Sequence, residues 1–160
     1  MLSLSHHRSN RGFDLGKPHV LVGHASEYLA IEPLYREYPD ADDYWDGNWV
    51  VSLIDFAVAG WSGSYTATLR TDEFSRFYAE LLALSRRSKG SAIFSSMEDW
   101  LQIRVKRKSI EEIEAVCVLK ARSHPLTRLE LSLDLEQEDL ARIISGIETV
   151  REMFPVISEP

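Results

Sequence analysis

Hydrophobic residues along this chain recur with two different periods, one of two residues and one close to four. A period of two marks extended strands, because successive side chains of a strand point to opposite faces of a sheet. On this basis eight segments are predicted to be strands: 19–22, 27–35, 48–59, 65–70, 91–94, 100–106, 113–121 and 127–135. Pro33 lies inside the second segment, which predicts an edge position or a bulge there.

The period close to four appears in two places and predicts two amphipathic helices. The first stripe is formed by Phe74, Phe77, Tyr78, Leu81 and Leu82, with Thr71 as the predicted N-cap. The second stripe is formed by Leu140, Ile143, Ile144, Ile147, Val150 and Phe154, and Pro155 ends it. Asp134 and Gln137 are spaced like a capping box at the start of this second helix.

The order of these elements is strands, helix, strands, helix, and most connections are too short for parallel crossovers. Short connections favour antiparallel pairing, so the predicted fold class is α+β, an antiparallel sheet of about six to eight strands with two amphipathic helices packed on it. Residues 1–16 lack periodicity and are rich in polar residues, which predicts a flexible N-terminal arm. Residues 17–160 are predicted to form one domain.

Composition and charge narrow the classes of function. Cys117 is the only cysteine, so an intrachain disulfide is excluded and a reducing, cytoplasmic setting is expected. No apolar run approaches membrane-spanning length, which argues against a membrane partner. The formal net charge of −7 argues against direct nucleic-acid binding and favours a positively charged protein partner. Basic residues cluster at 86–89, where they complement a helix end, and at 104–108, on the solvated side of a predicted strand. Nucleic-acid binding would need these clusters to merge into one face with stacking aromatic residues, which the sequence does not show.

Metal and catalytic chemistry find little support in the spacing of residues. The acidic stretch 37–47 lacks the pattern of a calcium loop, since the sixth position counted from Asp40 is Trp45 and the twelfth is Val51. The five histidines show no zinc spacing, and no nucleophile can be paired with a base. Cys117 alternates with apolar neighbours and is predicted to pack as a small hydrophobe. No cofactor, metal or catalytic residue is therefore predicted, and the chain is expected not to be an enzyme.

Asp55 stands out because it lies inside the apolar strand 48–59. A carboxylate in a central strand must be paired, hydrogen-bonded or exposed at a cleft. An ion pair with Arg70 or Arg104 is the favoured interpretation. The alternative is a pocket lined by Asp55 and Trp61, which would belong to a small-ligand-binding or regulatory domain.

A cluster of carboxylates and aromatic rings precedes the same strand. Its members, here called the acidic aromatic loop, are Asp40, Asp42, Asp43, Tyr44, Trp45 and Asp46. Aromatic rings bury a large area on binding while carboxylates attract a cationic partner, so the loop is the predicted partner-binding site. Core packing is the competing interpretation for the nearby rings. It is favoured for Trp49 and is as plausible as contact with a partner for Tyr44 and Trp45.

The segment from Asp42 to Pro155 resembles the bacterial WapI-type immunity proteins. The resemblance rests on the sequence YWDGNW at 44–49, the turn with Gly60 and Gly63, the helix at 74–82 and the closing helix. Members of that family are small cytoplasmic proteins thought to neutralise the C-terminal toxin domain of wall-associated or contact-dependent inhibition systems. The resemblance implies stoichiometric inhibition by occlusion, without an active site. It also implies that the partner is a toxin domain, and a nuclease with a basic substrate groove would match the acidic charge of the loop.

Overall fold

The computed structural model describes residues 14–122 and 126–160. The described elements are β1 (Val20–Gly23), β2 (Tyr28–Arg36), α1 (Tyr44–Gly47), β3 (Trp49–Val58), β4 (Trp61–Arg70), α2 (Thr71–Ser85), β5 (Gly90–Ser95), β6 (Leu101–Arg107), β7 (Ile113–Ala121), β8 (Thr127–Leu135) and α3 (Gln137–Met153). Each predicted strand and both predicted helices are present, and the α+β fold class is confirmed. Residues 1–13, which include most of the predicted arm and two histidines, lie outside the described residues, as does His124.

The eight strands form two antiparallel sheets of four, with orders β1-β2-β3-β4 and β5-β6-β7-β8, where the sequence had suggested one sheet. Each sheet is a meander in which every strand pairs with its neighbour in the chain. The split falls where α2 separates β4 from β5. A helix inserted at this point prevents β5 from following β4 as a hairpin, so the second half of the chain starts a sheet of its own.

The core lies between the inward faces of the two sheets and the apolar stripes of α2 and α3. Phe74 and Phe77 of α2 pack on Phe94 of β5, with ring centroids 5.3 and 5.7 Å apart. Helix α3 packs against β1, where a side chain on Gly146 would come within 2.6 Å of the His19 carbonyl oxygen. Cys117 is fully buried in this core, which confirms its predicted packing. Burial raises the pKa of its thiol to about 12.

Some local predictions were wrong in detail. The bulge predicted at Pro33, by contrast, is confirmed by the register shift between Pro33 and Tyr35, and Pro33 lies beyond the residues of β2 that pair with β1. Asp134 cannot cap α3, because it pairs with Glu114 in the β7–β8 ladder. The N-cap is Glu136, whose backbone N–H donates to the Asp139 carboxylate at 2.8 Å. The N-cap of α2 is likewise Arg70, one residue before the predicted Thr71.

Two further findings concern membrane-spanning helices and the N-terminal end of the described chain. None of the helices in the described part of the chain is long and apolar enough to cross a membrane. At its N-terminal end the described chain makes a turn, with the Asp14 backbone N–H donating to the buried Glu32 carboxylate at 3.0 Å. The division into an arm at 1–16 and a domain at 17–160 remains a prediction.

Candidate functional site

The acidic aromatic loop contains a one-turn helix that the sequence did not reveal. Helix α1 is only four residues long, too short to show a helical period. Asp43 is its N-cap, and its Oδ1 accepts hydrogen bonds from the backbone N–H groups of Trp45 at 2.8 Å and Asp46 at 2.9 Å. The N–H groups of Asp46 and Trp45 lower the pKa of Asp43 below its ordinary value, so this carboxylate stays charged at neutral pH. Asp43 therefore shapes the loop as well as carrying charge.

Asn48 fixes the end of the loop, and every hydrogen-bonding atom of its fully buried amide is used. Its Nδ2 donates to the carbonyl oxygens of Tyr44 at 2.8 Å and Ile157 at 2.9 Å. Its Oδ1 accepts from the Thr71 hydroxyl at 2.7 Å and the Ile157 backbone N–H at 2.8 Å. One side chain thus joins α1, the first residue of α2 and the C-terminal tail. Because a buried amide with all partners satisfied tolerates little displacement, this arrangement makes the loop rigid.

Arg70 supports the same loop from beneath, with only 1% of its surface exposed. Its guanidinium donates to the carbonyl oxygens of Trp45 at 2.7 Å and Tyr44 at 2.9 Å, and forms an ion pair with Asp72 at 3.0 Å. It also lies 4.8 Å from the ring centroid of Trp49 and 5.0 Å from that of Tyr44. The two carbonyl bonds bind the backbone of α1 directly. Arg70 thereby holds the backbone that carries Trp45 at the surface.

The side chain of Tyr44 has a supporting role in this arrangement. Tyr44 is half-buried, its hydroxyl donates to Asp72 at 3.0 Å, and its ring meets the Trp45 ring edge-on at 5.2 Å. Arg36 fastens the other side of the loop, donating to the carbonyl oxygens of Gly47 and Pro155, both at 2.6 Å. The loop is therefore attached to β2, β4, α2 and the C-terminal tail.

Four side chains of the loop project outward from this scaffold. Asp40, Asp42, Asp46 and Trp45 are exposed, and 59% of the Trp45 surface remains open. Among the described residues, none of the loop carboxylates forms an ion pair. Exposed Tyr38, at the start of the loop, adds a second ring. The surface is thus acidic, aromatic and unneutralised.

This surface has the properties of a protein-docking site. A rigid backbone reduces the entropy lost on binding, an exposed tryptophan provides an anchor, and free carboxylates attract a cationic partner. The part of the chain that the structure describes has no group of three or more His, Cys, Asp or Glu side chains that could hold a metal ion. What the loop can present to another molecule is an exposed aromatic ring together with carboxylates that have no cationic partner among the described residues.

The second predicted site centres on Asp55, and the structure shows which group its carboxylate contacts. Asp55 is 6% exposed, and its carboxylate accepts a hydrogen bond from the Tyr28 hydroxyl at 2.7 Å. The predicted ion pair of Asp55 with Arg70 or Arg104 was wrong. Asp55 pairs with Ser64 in the β3–β4 ladder, whereas Arg70 pairs with Trp49 at the far end of the hairpin. Arg104 belongs to the other sheet.

Trp61 lies far from the acidic aromatic loop. It pairs with Val58 beside the turn of the β3–β4 hairpin and is 74% exposed. The ten residues of β4 span roughly 30 Å, which separates Trp61 from Arg70 and the acidic aromatic loop. Trp49 is half-buried next to Arg70 and is absent from the core, so its predicted core position was wrong. The alternation of side chains along β3 explains this. Trp49 pairs with Arg70, and both side chains lie on the face of the sheet that points away from the core.

Comparisons with known proteins identify a family. A family model described as the immunity protein WapI-like family matches residues 20–155. No curated protein matches the chain. Among solved structures, the structure of the plant transcriptional regulator PBF-2 is similar, with a TM-score of 0.48 and 13% sequence identity, covering 87% of this chain and 81% of that chain.

Proposed function

The chain belongs to the WapI-like immunity protein family, and on that premise we propose that it neutralises a toxin domain by binding it stoichiometrically through the acidic aromatic loop. The observation that carries the proposal is the exposed group formed by Trp45 and the unpaired carboxylates of Asp40, Asp42 and Asp46 on a rigid support. The partner is a basic protein surface. Inhibition acts by occlusion, without turnover of a substrate, and in the cytoplasm.

The charge of the loop favours a particular kind of toxin. Enzymes that cleave nucleic acids present basic grooves to the phosphate backbone, because phosphate contacts dominate their affinity. An acidic inhibitor surface can occupy such a groove and exclude the substrate. Opposite charges also accelerate association, which matters for an inhibitor that must intercept a toxin before it acts. A nuclease is therefore the proposed class of toxin.

The proposal is tested with the toxin domains encoded beside the gene for this chain. We expect the purified chain to bind one such domain in a 1:1 complex, as measured by isothermal titration calorimetry. Coexpression of the chain should also restore growth of cells that produce that toxin. An unrelated acidic protein of similar size is the control for charge alone. Failure to bind or protect against every neighbouring toxin domain would contradict the proposal.

A further inference from the structure

The two basic clusters, at 86–89 and 104–108, lie next to each other in the structure. Strand β5 pairs with β6 so that Gly90 lies opposite Arg107 and Ser91 opposite Lys106. This register places Ser91 of β5 beside Lys106 on the outer face of β6, close to Lys89 in the connection from α2 to β5. Together they form a cleft of about 440 Å³ lined by Lys89, Gly90, Ser91, Arg104, Lys106, Arg107 and Lys108. The sequence did not show that the clusters meet, because their proximity depends on a strand register that the sequence does not specify.

Three cations in the cleft have no acidic partner. Lys89, Arg104 and Lys106 are exposed, and none of them forms an ion pair within the described residues. Arg104 and Lys106 project from alternate positions of β6, about 7 Å apart. Glu114 pairs across the ladder with Lys106, but its carboxylate is engaged by Lys108 at 3.0 Å. Glu114 therefore already has a cationic partner.

A further positive charge is buried at the same end of β6, on the face of the strand that points toward the core. Arg107 is 5% exposed, and its guanidinium donates to neutral acceptors only within the described residues. These acceptors are the Gln137 side-chain oxygen at 2.6 Å and the carbonyl oxygens of Ile110 at 3.0 Å, Ser109 at 3.3 Å and Ser85 at 3.5 Å. Ser85 is the last residue of α2, so this bond also covers part of the negative end of the helix dipole. The charge of Arg107 is fixed in position and not neutralised by a carboxylate.

This concentration of positive charge is unusual in a chain of formal net charge −7. It lies at the C-terminal end of α2, whereas the acidic aromatic loop lies at the N-terminal end of the same helix. The 15 residues of α2 separate the two surfaces by about 22 Å. The molecule therefore carries two surfaces of opposite charge at opposite ends of one helix, and the basic one is not needed to bind a basic toxin.

We propose that this cleft is a binding site for a compact phosphate-bearing anion, such as a diphosphate or triphosphate group. Several cations face one small volume, and a single carboxylate carries too little charge to balance them. A diphosphate carries several charges and many acceptor oxygens within that space, and lysine and arginine are the usual partners of such groups. The exposed Ser91 hydroxyl provides a further donor beside them. The proposal is independent of toxin binding.

The experiment measures binding of inorganic pyrophosphate to the isolated chain by isothermal titration calorimetry at low salt. We expect 1:1 binding and a rise in melting temperature, because a ligand that binds only the folded state stabilises it. The variant K89Q/R104Q/K106Q should weaken this binding at least about tenfold, since each substitution removes a charge-assisted contact. Arg107 is left unchanged because it holds the loop after β6.

A matched variant, R76Q/R122Q/R128Q, removes three exposed cations that already pair with their own carboxylates. We expect it to bind pyrophosphate within about twofold of the unmodified chain, because its paired cations contribute little to a distant site. The proposal is overturned if the unmodified chain does not bind pyrophosphate, or if both variants lose binding equally. It is also overturned if a tri-aspartate peptide binds as tightly as pyrophosphate. None of these results depends on a toxin, so they are distinguishable from failure of the proposed function.

Discussion

Replacement of Trp45 by alanine is expected to weaken binding of the toxin at least about 30-fold, which corresponds to a loss of about 2 kcal/mol for a buried aromatic anchor. Trp45 is 59% exposed in the free chain, so most of its ring area is available to a partner. The backbone that carries it is held by the Arg70 and Asp43 hydrogen bonds, none of which uses the indole ring. The substitution should therefore leave the loop intact. The dissociation constant measured by calorimetry gives the effect directly.

Trp61 provides the matched control for this substitution. It is 74% exposed, yet it lies at the opposite end of the β3–β4 hairpin. Replacement of Trp61 by alanine should change the dissociation constant less than about twofold, because surface residues outside an interface contribute little to binding. A larger loss of affinity for Trp61→Ala than for Trp45→Ala would indicate that the docking surface lies at the hairpin turn.

Replacement of Asn48 by aspartate is expected to destabilise the protein by about 3 kcal/mol, despite the nearly identical shape of the two side chains. The carboxylate would still accept from Thr71 and Ile157. It would also place an oxygen against the carbonyl oxygens of Tyr44 and Ile157, where the amide now donates at 2.8 and 2.9 Å. A buried charge is costly, and so is the loss of the amide donor to both carbonyl oxygens, although that of Tyr44 keeps its hydrogen bond from Arg70. Chemical denaturation measures the change in the free energy of unfolding.

Gln102→Glu is the control, because it makes the same conversion of an amide into a carboxylate at an exposed position. Gln102 is an exposed amide on β6, so its conversion to a carboxylate should alter the free energy of unfolding by less than about 0.5 kcal/mol. If Asn48→Asp costs no more than Gln102→Glu, the amide of Asn48 does not fix the loop and the rigidity argued above is absent.

The regular elements could be predicted because their burial is periodic. In β6 the residues alternate buried and exposed without exception, and in β8 the same alternation covers the last five residues. The helices α2 and α3 each bury one apolar stripe against the sheets. Patterns of this kind follow from which face of an element meets the core, so they are visible in the sequence alone.

The scaffold of the site could not be predicted, because it depends on contacts between distant parts of the chain. Asn48 contacts Ile157, and Arg70 contacts the backbone of α1, through hydrogen bonds that join residues remote in sequence. The exposure of the loop carboxylates was predicted from composition. The roles of Arg70 and Asn48 were not, although both flank elements that the sequence did identify. The basic cleft required the register of β5 against β6 as well.

The measurement that tests the central claim most directly is the affinity and association rate of the variant D40N/D42N/D46N for the toxin at increasing salt. Asp43 is retained because it caps α1. We expect a slower association, an affinity at least about tenfold weaker and a reduced dependence on salt, because these carboxylates attract the partner through long-range charge. The control D134N/E138Q/E148Q removes three exposed carboxylates of β8 and α3 and should retain affinity and association rate within about twofold. Equal affinities and salt dependences for the unmodified chain and D40N/D42N/D46N would contradict the claim that this loop is the docking surface.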